Sequence, residues 1–118
     1  PSSGALEYLK GDLYVPHEKN KYCIEVKNYS ESPLTDKIFT APRTNNLIRW
    51  WNKVVQQADK GNQEPLLFFK YNRSPIFVVV KDKPKNFSLW ININFLGCHV
   101  MVAEEWLYNE KPEFLNGI

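Results

Sequence analysis

A chain of 118 residues is long enough to bury a core without disulfides or a structural metal, and 43% hydrophobic with 24% charged residues excludes a disordered or membrane-embedded chain. No stretch approaches the roughly 20 apolar residues of a transmembrane helix, and the opening Pro1-Ser2-Ser3-Gly4 lacks the basic start and apolar run of a secretory signal. The net charge of +2 is too small to argue by itself for a nucleic-acid partner.

One domain spanning residues 1–118 is the expectation, with the cytoplasm as its simplest home. Charge is unevenly spread. Residues 1–73 carry 11 Lys+Arg against 8 Asp+Glu, and residues 74–118 carry 4 against 5, so polyanion contacts are expected mainly in the first part. Cys23 and Cys98 flank no ligand spacing and read as two buried, reduced thiols.

In chain order, Gly11 to Val15 is rich in strand formers and is stopped by Pro16. The polar His17 to Asn20 connects it to Lys21-Tyr22-Cys23-Ile24-Glu25-Val26-Lys27, whose alternation places Tyr22, Ile24 and Val26 on one face and Cys23, Glu25 and Lys27 on the other. Together they predict a hairpin. Asn28 to Pro42 has few apolar anchors and reads as a long loop.

Thr44 or Asn45 can cap a helix carrying Leu47, Trp50, Trp51, Val54, Val55 and Ala58 at helical spacing, ended by Gly61 with Pro65 beyond. That stripe reads as core. Leu66 to Lys70 and Ile76 to Val80 read as strands separated by Asn72-Arg73-Ser74-Pro75. Lys81 to Lys85 reads as a charged turn, Phe87 to Phe95 as an alternating aromatic segment of open placement, Cys98 to Ala103 as a last strand and Glu104 to Tyr108 as a closing helix. The sum is an α/β or α+β domain: a mixed sheet with helices packed against it.

Phosphodiester hydrolysis at neutral pH calls for a divalent cation held by hard oxygen ligands. A hairpin could bring the carboxylates of Asp12 and Glu25 to one point, and Lys27 leaves the same strand face as Glu25, where an ammonium can orient a water or offset charge growing on the phosphate. A lone Glu-x-Lys is weakly specific, because alternating charges on a solvated face produce it without function. Here a Gly-Asp precedes it at hairpin distance and the residues between are apolar.

The run Ser3-Gly4-Ala5, then Lys10-Gly11-Asp12-Leu13, then Ile24-Glu25-Val26-Lys27-Asn28 resembles the PD-(D/E)xK nuclease superfamily, and within it the archaeal and phage Holliday-junction-resolving enzymes. The resemblance covers residues 2–80, with motif-level detail in the first 30. It implies a restriction-endonuclease-like α/β fold with a mixed sheet and flanking helices. It also implies Mg²⁺, with Mn²⁺ as a substitute, bound at Asp12, Glu25 and Val26. Asp12, Glu25 and Lys27 become the catalytic residues, Ser3 an accessory serine, branched DNA the substrate and a homodimer the working form. The setting implied is the cytoplasm, nucleoid-associated, or the host cytoplasm for a viral protein. Those resolvases carry a further glutamate on a helix before the Ser-Gly. This chain begins at Pro1, so that helix is expected to have been trimmed, with Glu7 and Glu31 the nearest substitutes.

Lys10, Lys53, Lys70 and Arg73 are the candidate phosphate contacts, against the plainer reading of solvated surface charges. Gln56 and Gln57 read as solvent-facing amides, and Tyr71 as core filler. Neither His17 nor His99 has a second ligand at a recognisable spacing. Of Trp50, Trp51, Trp90 and Trp106, at least two are expected in the core and others could serve a dimer interface. Two alternatives stay open: a restriction- or repair-type nuclease module, and a non-catalytic nucleic-acid-binding module on the same fold.

Overall fold

The structure, a computed structural model, describes residues 20–115. The strand expected over Gly11 to Val15, and with it the first half of the hairpin, lies outside the described residues. Strand β1 (Tyr22–Asn28) is followed by the short helix α1 (Lys37–Thr40), the long helix α2 (Asn46–Lys60) and strands β2 (Glu64–Lys70) and β3 (Phe77–Val80). Strand β4 (Ile91–Ile93), a 3-10 turn over Asn94–Leu96, strand β5 (Cys98–Val102) and helix α3 (Ala103–Glu110) complete the order. These five strands form one mixed sheet in the order β1-β2-β3-β5-β4. Among the described strands, only the β1–β2 pair is parallel.

A parallel pair needs a crossover, and α2 supplies it. Its Leu47, Ile48, Trp51, Val54 and Ala58 fall at helical spacing and are buried. The α2 core stripe packs on the sheet face formed by Leu67, Phe69, Val79, Cys98 and Val100. Trp106 and Ala103 of α3 cover the other face, against Leu66, Phe68, Val78, Val80 and Met101, with Tyr22, Ile24 and Val26 beside them. Because both faces of β2 are covered, Leu66, Leu67, Phe68 and Phe69 have no exposed surface, which is why that strand reads as a continuous apolar run. Among the described residues, no helix is long and apolar enough to cross a membrane.

Three local features depart from the sequence reading. The segment after β1 is anchored rather than open: Leu34 packs on the α2-side core and Ile38 of α1 is buried in it. Its anchors are single residues among polar ones, so no period betrays them. In the Phe87 to Phe95 segment only Ile91–Ile93 forms strand, because the chain turns through the 3-10 segment at once. Gly97 makes that turn possible, with φ 64, a left-handed conformation costly for residues bearing a Cβ. At the end of α2, Gly61 stays at φ −95 and the left-handed residue is Asn62 at φ 52. The tryptophans divide as expected: Trp51 and Trp106 are buried, Trp50 and Trp90 half-buried.

Of the two candidate caps, Asn45 serves. Its Oδ1 accepts from the Ile48 N–H at 3.1 Å, while its Nδ2 donates to the Pro33 carbonyl at 2.8 Å, joining α2 to the loop after β1. Asn45→Ala should therefore cost about 1–2 kcal/mol, removing a cap and a buried hydrogen bond. Thr44→Ala, whose hydroxyl reaches only the Ala41 carbonyl at 3.2 Å, should change stability by less than about 0.5 kcal/mol. Urea unfolding midpoints of the two variants measure the difference, and equal destabilisation would reject the assignment.

Candidate active site

Strand alternation decides which β1 side chains meet. Glu25 lies in register with Leu67 and Lys27 with Phe69, so both charged groups stand on the sheet face that α2 covers. The Lys27 Nζ is 3.5 Å from Glu25 Oε1, and the two side chains keep 32% and 35% of their exposure. An ion pair this solvated contributes only about 0–1 kcal/mol. It does not lock the carboxylate, which remains open to a further ligand. Cys23 shares the face; burial first, and the negative charge of Glu25 second, push its thiol pKa up. Burial alone pushes the Cys98 thiol to about 12. Both cysteines are free and stay protonated near neutral pH, so neither is an activated nucleophile.

Val26 points its side chain to the opposite face, into the α3-side core. It can serve a cation only through its main-chain carbonyl, an oxygen donor of the kind Mg²⁺ accepts. Ser3, Glu7, Lys10, Asp12 and His17 lie outside the described residues. Among the described residues no three His, Cys, Asp or Glu side chains converge on a metal-sized point. A cation held at Glu25 would need a second acid from elsewhere. Glu31 is exposed and lines a cleft of about 220 Å³ with Tyr29, Thr35 and Lys37, which includes neither Glu25 nor Lys27. The donor set present, one accessible carboxylate beside an ammonium and a main-chain carbonyl, fits half of a Mg²⁺ site.

The remaining candidates separate by exposure. Lys53 on α2 and Arg73 in the β2–β3 turn are exposed, and Arg73 takes a left-handed φ of 67. Lys70 corrects the sequence reading. It is 7% exposed, and its Nζ donates to the carbonyls of Tyr71 and Ser74, so its ammonium braces the β2–β3 turn instead of facing solvent. Gln56 and Gln57 face solvent. Tyr71 stacks on Phe77 with ring centres 5.8 Å apart, as core filler does. His99 stands edge-on to Trp90 at 5.2 Å, its Nε2 3.3 Å from Asn92 Nδ2, with no second metal ligand grouped with it among the described residues.

One cluster escaped the sequence reading. Lys81, Lys83 and Lys85, read as a charged turn, line a cleft with Lys21, Tyr22 and Trp106. The alternation Lys-Asp-Lys-Pro-Lys was its only signal.

A mixed five-stranded sheet with helices on both faces, carrying a Glu-x-Lys on one face of the strand before the crossover helix, defines a restriction-endonuclease-like α/β protein. Residues 1–110 match the family model described as "Phage putative PDDEXK endonuclease", and the chain belongs to that family. It is also 34% identical to Protein D14 of Escherichia phage T5 over 128 aligned positions, covering 98% of this chain and 79% of that protein. No solved structure matches the chain.

The shared face of Cys23 and Glu25 is testable through thiol chemistry. Removing the negative charge in Glu25→Gln should lower the Cys23 pKa, raise its thiolate fraction and speed its reaction with a disulfide reagent near pH 8, while Cys98 stays inert until unfolding. An unchanged Cys23 rate would separate the two groups.

Proposed function

We propose that this chain is a divalent-metal-dependent DNA endonuclease, with branched DNA as substrate and a homodimer as the working form. The observation that carries the reading is the placement of Glu25 and Lys27 side by side, half-solvated, on one face of β1, in a chain whose family match also spans Asp12. Branched DNA and the dimer rest on the likeness of the Ser3, Asp12 and Glu25-Val26-Lys27 order to junction-resolving nucleases. Symmetric cutting of a four-way junction needs two active sites. The host cytoplasm is the corresponding setting for a phage-family nuclease.

In this reading Asp12, Glu25 and the Val26 carbonyl would hold Mg²⁺ or Mn²⁺. When bound, the cation supplies Lewis-acid polarisation of the scissile phosphate and neutralises developing charge. Lys27 orients the attacking water and offsets negative charge growing on the phosphate in the transition state. Glu25 Oε1 lies 3.5 Å from the Lys27 ammonium, so both groups would act at one point of the face. By the resemblance Ser3 would be the accessory serine, and Lys10, Lys53 and Arg73 would contact backbone phosphates.

Cleavage of linear, flapped and four-way DNA with Mg²⁺ tests the proposal. Asp12→Ala, Glu25→Ala and Lys27→Ala should each lower the single-turnover rate by at least about 10²-fold, with DNA affinity largely kept. Normal cleavage by Glu25→Ala would reject the assignment, and equal cutting of linear and four-way DNA would reject the branched substrate while leaving the nuclease.

A further inference from the structure

We infer that the cleft between the Lys81–Asn86 loop and the start of β1 is a second DNA-backbone site, separate from Glu25 and Lys27, which grips phosphates away from the point of cleavage. The cleft encloses about 270 Å³ and is floored by Tyr22, Val80 and Trp106, with Lys21, Lys81, Lys83 and Lys85 around it. Tyr22, Val80 and Trp106 belong to the α3-side core, whereas Glu25 and Lys27 stand on the α2 side. The cleft and the Glu-x-Lys therefore occupy opposite faces of β1, offset along it by about 10 Å at roughly 3.3 Å per residue.

The charges around the cleft are not fully balanced. Three acids line it with four lysines: Glu64 pairs with Lys21 at 3.5 Å, and the Glu110 carboxylate, which keeps its charge, accepts the main-chain N–H groups of Lys85 and Asn86 at 2.9 and 2.7 Å. That leaves Asp82 and Glu110 against Lys81, Lys83 and Lys85, which are exposed and form no ion pair among the described residues, so one positive charge is in excess.

The loop that carries these lysines is held in place. Pro84 is buried, Glu110 clamps the next two amides, and the Lys83 Nζ lies 5.7 Å from the centre of the Trp90 ring. Tyr22 supplies a neutral hydroxyl: burial first, then Glu64 and Asp82, push its pKa to about 12. Exposed lysines carried on a held loop, beside a neutral hydroxyl in the same cleft, suit a polyanion whose charges recur about every 3.4 Å along each strand. Naming DNA as that polyanion rests on the nuclease reading.

The test measures binding of a labelled four-way junction across a salt series, without divalent metal, by the full chain. Neutralising all three lysines (Lys81→Ala, Lys83→Ala, Lys85→Ala together) should reduce the slope of log affinity against log salt by about 3, one for each phosphate left without its ammonium. In a parallel assay with Mg²⁺, the single-turnover cleavage rate at saturating protein should stay unchanged. Asp82→Asn should act in the opposite sense and tighten binding. An unchanged slope in the triple variant, or no measurable binding by the unmodified protein, overturns the inference. If the slope falls while the unmodified protein cleaves nothing when Mg²⁺ is supplied, the second site stands and the nuclease reading fails.

Discussion

The parallel pairing of β1 with β2 is the constraint on which the rest of the molecule depends. The core of β2 is buried on both faces, so its register with β1 cannot slip without moving Leu66 and Phe68 to the face that Leu67 and Phe69 occupy. The same register fixes which side of β1 every residue takes. Glu25 and Lys27 stand on the α2 face because Leu67 and Phe69 beside them do, and Tyr22 and Val26 turn to the α3 face with Leu66 and Phe68. A one-residue slip would exchange the charged pair with the apolar set. The chemistry of the site thus depends on core packing two strands deep.

The crossover helix completes this frame. Asn45 begins α2 and ties it to the loop after β1, and Trp51 donates its indole N–H to the Leu96 carbonyl, so the helix is fixed at both the β1 and β5 sides of the sheet. The β2–β3 turn is braced independently by the buried Lys70 ammonium, and the main-chain N–H of Tyr29 donates to the Lys70 carbonyl at 2.9 Å. The carboxyl ends of the two parallel strands are therefore held together just beyond Lys27. Ligand sites in open α/β sheets gather at such strand ends. A half-solvated acid and amine on this rigid edge differ from a surface pair on a loop, because the geometry persists whether or not they attract each other.

Much of this was legible in the sequence, for identifiable reasons. Period-two alternation placed Glu25 and Lys27 on a common face, and the helical spacing of Leu47, Trp51, Val54 and Ala58 located α2 and its core stripe. The apolar runs of β2 and β3 and the final strand and helix followed from composition. What stayed hidden was information carried by tertiary partners. Ile38 has no periodic neighbours and finds its burial only against α2 and the sheet. Lys70 reads as an exposed strand-end cation, and only the converging carbonyls of Tyr71 and Ser74 reveal why its charge is buried. The lysines at 81, 83 and 85 became a cleft only because the β3–β4 loop folds back over Tyr22 and Trp106.

If Glu25, the Val26 carbonyl and Asp12 form a divalent-cation site on the α2 face of β1, a bound ion must sit within a few residues of Glu25. The most direct measurement is a Mn²⁺ titration followed by paramagnetic broadening of assigned backbone amides. Broadening should centre on residues 24–28, extend to Asp12 and be abolished by Glu25→Gln. Broadening centred elsewhere, or persisting unchanged in Glu25→Gln, would contradict it.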